Sequence, residues 1–146
     1  MIRKTEPNDI LELANTMRVE DQREVQSMAG LSPLEALSLG YMQSTDCITG
    51  VGKQGTVSLV AGVVSTGSYG AVWMLSAPDI KTNARELATT GRAWITAMTM
   101  KHGRLENVVD ARNKLHIRLI KFMGFDLGDP ISNYGVDKIR VIPFKR

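Results

Sequence analysis

From Pro7 onward the apolar positions Ile10, Leu11, Leu13, Ala14 and Met17 recur at helical spacing. They predict an amphipathic helix behind a short strand over residues 1–5. The polar run over residues 20–26 predicts a second, loosely specified helix. Ser32-Pro33-Leu34-Glu35 then supplies a capping box with proline at the first helical position, which predicts a third helix reaching Tyr41.

The periodicity changes after Tyr41. Residues 47–51 and 56–65 are rich in β-branched side chains, and Gly52-Lys53-Gln54-Gly55 between them reads as a hairpin turn. Gly67, Ser68 and Gly70 mark a second turn. Residues 71–75 follow as a strand ended by Ala77-Pro78-Asp79, so three antiparallel strands are expected. The strongest helical pattern comes next, with Asn83 as N-cap, Glu86 three residues on, and Leu87, Gly91, Trp94, Ile95 and Met98 on one stripe. A glycine inside that stripe costs about 1 kcal/mol relative to alanine, and its expected reason is close approach to the sheet. His102, read as a capping residue suited to the helix dipole, and Gly103 end the pattern. Residues 104–109 predict a strand, Asn113 caps a helix over 114–123, and Gly124 sits where a left-handed residue is wanted. Residues 125–127 and 137–143 supply the last strands. The expected fold is α/β, an α+β sandwich on one mixed, mostly antiparallel sheet flanked by helices. With no repeat or linker, residues 1–146 read as a single domain.

Composition narrows the function. Hydrophobic residues make up 43% of the 146 and charged residues 23%, which is globular rather than disordered. The net charge of +3 falls short of a nucleic-acid binder's basic field. Arg112, Lys114, Arg118 and Lys121 do form a positive stripe, read first as a solvated helix face and only then as a surface for nucleic acid or cofactor phosphates. The lone Cys47 pairs with nothing in the chain and is read as a small buried hydrophobe. A charged amino end and short apolar runs imply neither export nor membrane insertion, so a cytoplasmic location is expected. No metal site is expected from one cysteine and the two histidines, His102 and His116. His116 reads as a partly buried structural residue. No Gly-x-Ser-x-Gly elbow offers a nucleophile.

The order of elements is that of the GNAT superfamily of acyl-CoA-dependent N-acyltransferases. The segment VDARNKLHIRLIKFMGF resembles its signature of a strand-end valine, an asparagine, a helix and a closing Gly-Phe, here Val109, Asn113, Gly124 and Phe125. Asn113 with His116-Ile117-Arg118 and a Lys-x-x-Gly ending resembles, more narrowly, small GNAT-like proteins of short-tailed bacteriophages. The resemblance implies acetyl-CoA as cofactor. Its arm would enter the splayed edge of the strand over 71–75, at Leu75 and Ser76. Its diphosphate would face the helix start at Lys81, Thr82, Asn83, Ala84 and Arg85, and Asn113 would bond the arm or backbone. Glu106 and Asp110 are the candidate general bases, beside His116.

The chain departs from the family's pattern in two places. The loop Ala77-Pro78-Asp79-Ile80-Lys81-Thr82-Asn83-Ala84 holds no glycine, where the family uses a glycine-rich loop to bring backbone to the diphosphate. Ile120 stands where a tyrosine often protonates the leaving thiolate. The first expectation is therefore a phage-type GNAT-fold protein with a degenerate acyl-CoA cleft. It would act by binding a phage or host protein, in virion assembly or on a host target, in the host cytoplasm or associated with the virion. The alternative is a working acetyl-CoA-dependent N-acetyltransferase acting on an amine of a protein or small molecule.

Overall fold

The computed structural model describes residues 1–146. Strand β1 (Ile2–Lys4) leads into helices α1 (Pro7–Thr16), α2 (Val19–Ala29) and α3 (Pro33–Gln43). Strands β2 (Asp46–Val51), β3 (Val57–Ser65) and β4 (Gly70–Ser76) follow. Then come α4 (Ile80–His102), β5 (Leu105–Asp110), α5 (Lys114–Phe122), β6 (Asp126–Leu127), β7 (Ile131–Tyr134) and β8 (Ile139–Lys145). All eight strands form one sheet in the order β1-β2-β3-β4-β5-β8-β6, with β7 also on β8. Only β4 and β5 pair in parallel.

Alternation along the strands divides the core. Leu75 of β4 and Val57 and Val60 of β3 pack with Ile10, Leu13 and Leu37 under α1 and α3. Leu59 and Ala61 face the other way, onto Ile80, Leu87 and Ala88 of α4 and Leu119 of α5. Val72 joins Ile95, Met98, Leu105 and Phe125 beside them. The sheet is thus a middle layer, with α1 to α3 on one face and α4 and α5 on the other.

The predicted capping box forms, Ser32 Oγ accepting from Glu35 N–H and Glu35 from Ser32 N–H. Gly124 is left-handed with φ 89°. Gly91 approaches α5 rather than the sheet: an added Cβ would lie 3.2 Å from the Met123 side chain at the end of α5 and at an ordinary 3.7 Å from Ile2 of β1. His102 ends α4, its Nε2 3.7 Å from Asp46 Oδ2. Cys47 is half-buried, and burial pushes its thiol pKa up.

Three boundaries need correction. Asn83 is not the N-cap of α4, which begins three residues earlier behind Asp79. Its side chain instead accepts from Lys53 N–H and donates to Asp79 O, tying the β2–β3 turn to the helix. Strand β7 has no alternating pattern to reveal it, because all four of its residues are exposed. Asp137 lies in the turn before β8, where its N–H bonds Ser27 O of α2.

Leu105 is fully buried where β5 meets β4, at the closed end of their pairing. Leu105→Ala is expected to cost about 2–5 kcal/mol in urea unfolding, from lost burial and a residual cavity.

Candidate functional site

Strands β4 and β5 share only the rungs Gly70–Leu105 and Ala71–Glu106 before they part. Even-numbered residues of β4 turn their peptides toward β5. Gly70 N–H bonds Arg104 O and Val72 O accepts from Asn107 Nδ2 at 2.7 Å, while Ala77 N–H bonds Ser58 O of β3. The same alternation aims the N–H and C=O of Met74 into the gap, where no strand faces them.

Side chains replace the missing rungs. Asn107 Oδ1 takes Val108 N–H at 2.7 Å, so its amide bridges the two strands. Further out, Asp21 Oδ2 takes Ser76 N–H at 2.7 Å and Glu24 Oε1 takes Asp110 N–H at 2.8 Å. Those carboxylates lie three residues apart on one face of α2.

The Asp21 end is a dense polar cluster. Arg18, 5% exposed, donates from Nη1 to Asp21 Oδ1 at 2.8 Å and to Asn113 Oδ1 at 3.2 Å. Asn113 Nδ2 returns a bond to Asp21 Oδ1, and Ser76 Oγ donates to Asp21 Oδ2 at 2.8 Å. His116 Nε2 lies 2.9 Å from Ser76 Oγ and 3.3 Å from Asp21 Oδ2. Serine and carboxylate meet the same ring nitrogen, whereas a nucleophilic triad needs them on opposite nitrogens. Burial pushes the Asp21 pKa up, but the bond and charge of His116, the Arg18 charge and the Ser76 bond together hold it below the usual carboxylate range. No cation lies within pairing distance of Glu24, whose one hydrogen bond is from Asp110 N–H. Burial raises its pKa to about 7 despite the His116 charge and the Asp110 N–H.

A cavity of about 420 Å³ runs through the gap and is lined by residues from both sheet faces. Met74, Trp94, Leu119, Ile120 and Met123 line the side under α4 and α5, and Val25, Met28, Leu31, Ala36 and Trp73 the side under α2 and α3. Its polar lining side chains are Glu24, Asn107 and His116.

The predicted residues scatter. Leu75 lines the cavity, but Ser76 is held by Asp21. Glu106 stands at the closed end, paired with Arg104, and Asp110 is held by Arg112, whose guanidinium and charge keep its pKa low against burial. The Asn113 side chain is spent on Arg18 and Asp21. Along the exposed stripe, Lys114, Arg118 and Lys121 face solvent. Sequence reasoning missed Arg18, Asp21, Glu24 and Asn107. The charges at Asp21 and Glu24 looked like those of any solvated helix, and Asn107 like a strand residue.

At the start of α4, the N–H groups of Ile80, Lys81, Thr82 and Asn83 bond the carbonyls of Ala77, Pro78 and Asp79. None of the four is free for a phosphate. Asp79 Oδ2 accepts from Ser58 and Thr56, and its buried Oδ1 has no partner. The side chains of Lys81, Thr82 and Arg85 remain exposed, with Lys53 beside them across a polar hollow that Thr82 and Arg85 also line.

No family model and no curated protein matches the sequence. Solved structures do match. A GNAT superfamily phosphinothricin acetyltransferase from Sinorhizobium meliloti, in complex with AcCoA, superposes with TM-score 0.72 at 14% identity over 100% of this chain and 86% of its own. A ribosomal-protein-alanine N-acetyltransferase from Brucella melitensis gives 0.70 at 13%, over 100% and 98%. A spermidine N-acetyltransferase variant from Vibrio cholerae gives 0.68 at 12%, over 99% and 93%. The chain therefore has the GNAT fold.

Replacing Asp21 by Ala leaves buried Arg18 with only the half-exposed Glu20 carboxylate at 3.5 Å, and Ser76 N–H without an acceptor. A loss of about 3–5 kcal/mol is expected in denaturant unfolding. Because the folded-state pKa of Asp21 is lowered, its contribution is full above the unfolded carboxyl pKa and disappears as pH falls through the folded value.

Proposed function

We propose that the protein is an acetyl-CoA-dependent N-acetyltransferase that transfers an acetyl group to an amine, with residues 1–146 acting as one domain. The observation that carries this reading is the apolar passage through the β4/β5 gap with buried Glu24 in its wall. The named neighbours, an acetyltransferase and two N-acetyltransferases, support it from the side of fold.

The residues present fit the thioester arm of acetyl-CoA. The side of the passage under α4 and α5 is apolar, and the Met74 peptide offers a donor and an acceptor to an amide-bearing chain. With the α4 N–H groups spent, the phosphates are assigned to the side chains of Lys53, Lys81, Thr82 and Arg85. Bound there, acetyl-CoA supplies an acyl carbon activated by a thiol leaving group. Glu24 is the base that takes the proton an attacking amine must lose. Its Oε1 is committed to Asp110 N–H, which leaves Oε2 for the amine. A carboxyl poised near neutrality suits that task better than the low-pKa Asp110. Asn107 holds the gap open, and direct attack then depends chiefly on positioning.

A second reading, binding a phage or host protein through a degenerate cleft, is favoured by the closed N–H groups of α4 and by Ile120 at the acid's place. Calorimetry with acetyl-CoA separates the two. A micromolar dissociation constant supports the transferase, and acetyl-CoA at a hundred times that constant then adds about 2.7 kcal/mol of stability. No heat and no thermal shift at millimolar acetyl-CoA supports the binding role.

Glu24→Gln is expected to lower kcat about a hundredfold or more, with acetyl-CoA affinity unchanged. Wild-type activity should rise with pH through about 7 as Glu24 deprotonates, and the variant should lose that limb. Stability should move oppositely. The raised pKa favours the fold fully below the unfolded glutamate value, and that contribution is lost as pH rises through about 7. Glu24→Gln is therefore expected to unfold at higher urea than wild type at pH 8, by about 3 kcal/mol, and near wild type at pH 4.

A further inference from the structure

The passage has two sides of different make-up, and the one under α2 and α3 faces the acceptor if the donor occupies the other. Val25, Met28, Leu31, Ala36 and Trp73 form its walls, with Glu24 as its ionisable group. The Trp73 indole is immobilised. A Cβ added to Gly40 of α3 would stand 2.7 Å from Trp73 Cζ2, and one added to Gly62 of β3 would stand 2.7 Å from its Nε1. The ring thus lies in a slot that two glycines leave open, and Nε1 donates to Ser44 Oγ at 2.8 Å. It is a fixed aromatic wall. Exposed Ala29 also lines this side.

We infer that the acceptor is a primary amine on an apolar, otherwise uncharged body, seated between Trp73 and the α2 side chains Val25 and Met28 with its nitrogen toward Glu24. This deepens the transferase reading and rests on it. Polyamines and amino acids with charged side chains are disfavoured, because a second charge in this lobe meets no counter-ion and loses its hydration. Each methylene added to the amine's body instead gains burial, worth about fourfold in kcat/KM until the lobe is filled.

The test is a matched series with acetyl-CoA as donor: butylamine, hexylamine and octylamine, with 1,6-diaminohexane against hexylamine. The expected result is kcat/KM rising with chain length and falling at least a hundredfold when the second ammonium is added. Met28→Asp, which sets a carboxylate in the lobe, is expected to bring the diamine up relative to hexylamine by tenfold or more. Trp73→Ala should lower hexylamine turnover while leaving acetyl-CoA affinity unchanged. If 1,6-diaminohexane matches or exceeds hexylamine in the wild type, the apolar acceptor is overturned while the transferase reading stands. If neither amine is acetylated and acetyl-CoA does not bind, both are overturned.

Discussion

Two carboxylates one turn apart on α2 hold β4 and β5 apart. Two parallel strands that begin to pair would ordinarily continue, since each unpaired N–H left inside a protein costs about as much as a lost hydrogen bond. Here Asp21 satisfies Ser76 on β4 and Glu24 satisfies Asp110 on β5, while the Asn107 amide closes the last inner rung. The gap is thus built from satisfied groups, and the cavity through the sheet follows from it.

The two carboxylates stand in different electrostatic settings. Asp21 is matched by Arg18 and bonded by Asn113, Ser76 and His116, so it stays charged in the interior. Glu24, one turn on, has a backbone N–H on one oxygen, feels the His116, Asp21 and Asp110 charges without forming an ion pair, and is otherwise faced by apolar side chains along the passage. Desolvation therefore dominates, and its proton affinity moves to the neutral range. One stretch of helix supplies both a structural charge and a titratable one, separated by whether a cation lies within bonding distance.

The start of α4 offers no free backbone N–H, and the glycine-free sequence before it is consistent with that. Without glycine in the Ala77 to Ala84 loop, the chain tightens into a turn whose carbonyls consume the first N–H groups of α4. Gly52 and Lys53 of the β2–β3 turn then pack against Asn83 and Asp79. What remains for an anion is a set of exposed side chains, which give a weaker and more salt-sensitive grip than a backbone cradle.

The sequence alone determined the layered fold, because its evidence is local. Apolar spacing set α1 and α4, the Ser32–Glu35 capping box set α3, β-branched runs with glycine turns set β2 and β3, and the Asn113 to Phe125 segment located α5. The same local rules misplaced the start of α4, since Asn83 is a good cap by type but bonds a turn 30 residues away. They also passed over β7, which carries no buried face. The site was almost wholly a tertiary decision. Glu106 and Asp110 lie on β5, the strand after the one that the resemblance indicates, and Arg104 and Arg112 occupy them. Glu24 reads in sequence as one more charge on a polar helix, and it becomes a buried carboxyl with a raised pKa only because α2 docks across the open ends of β4 and β5. Burial and partner choice are properties of that docking, brought about by residues far apart in the chain, and no local pattern encodes them.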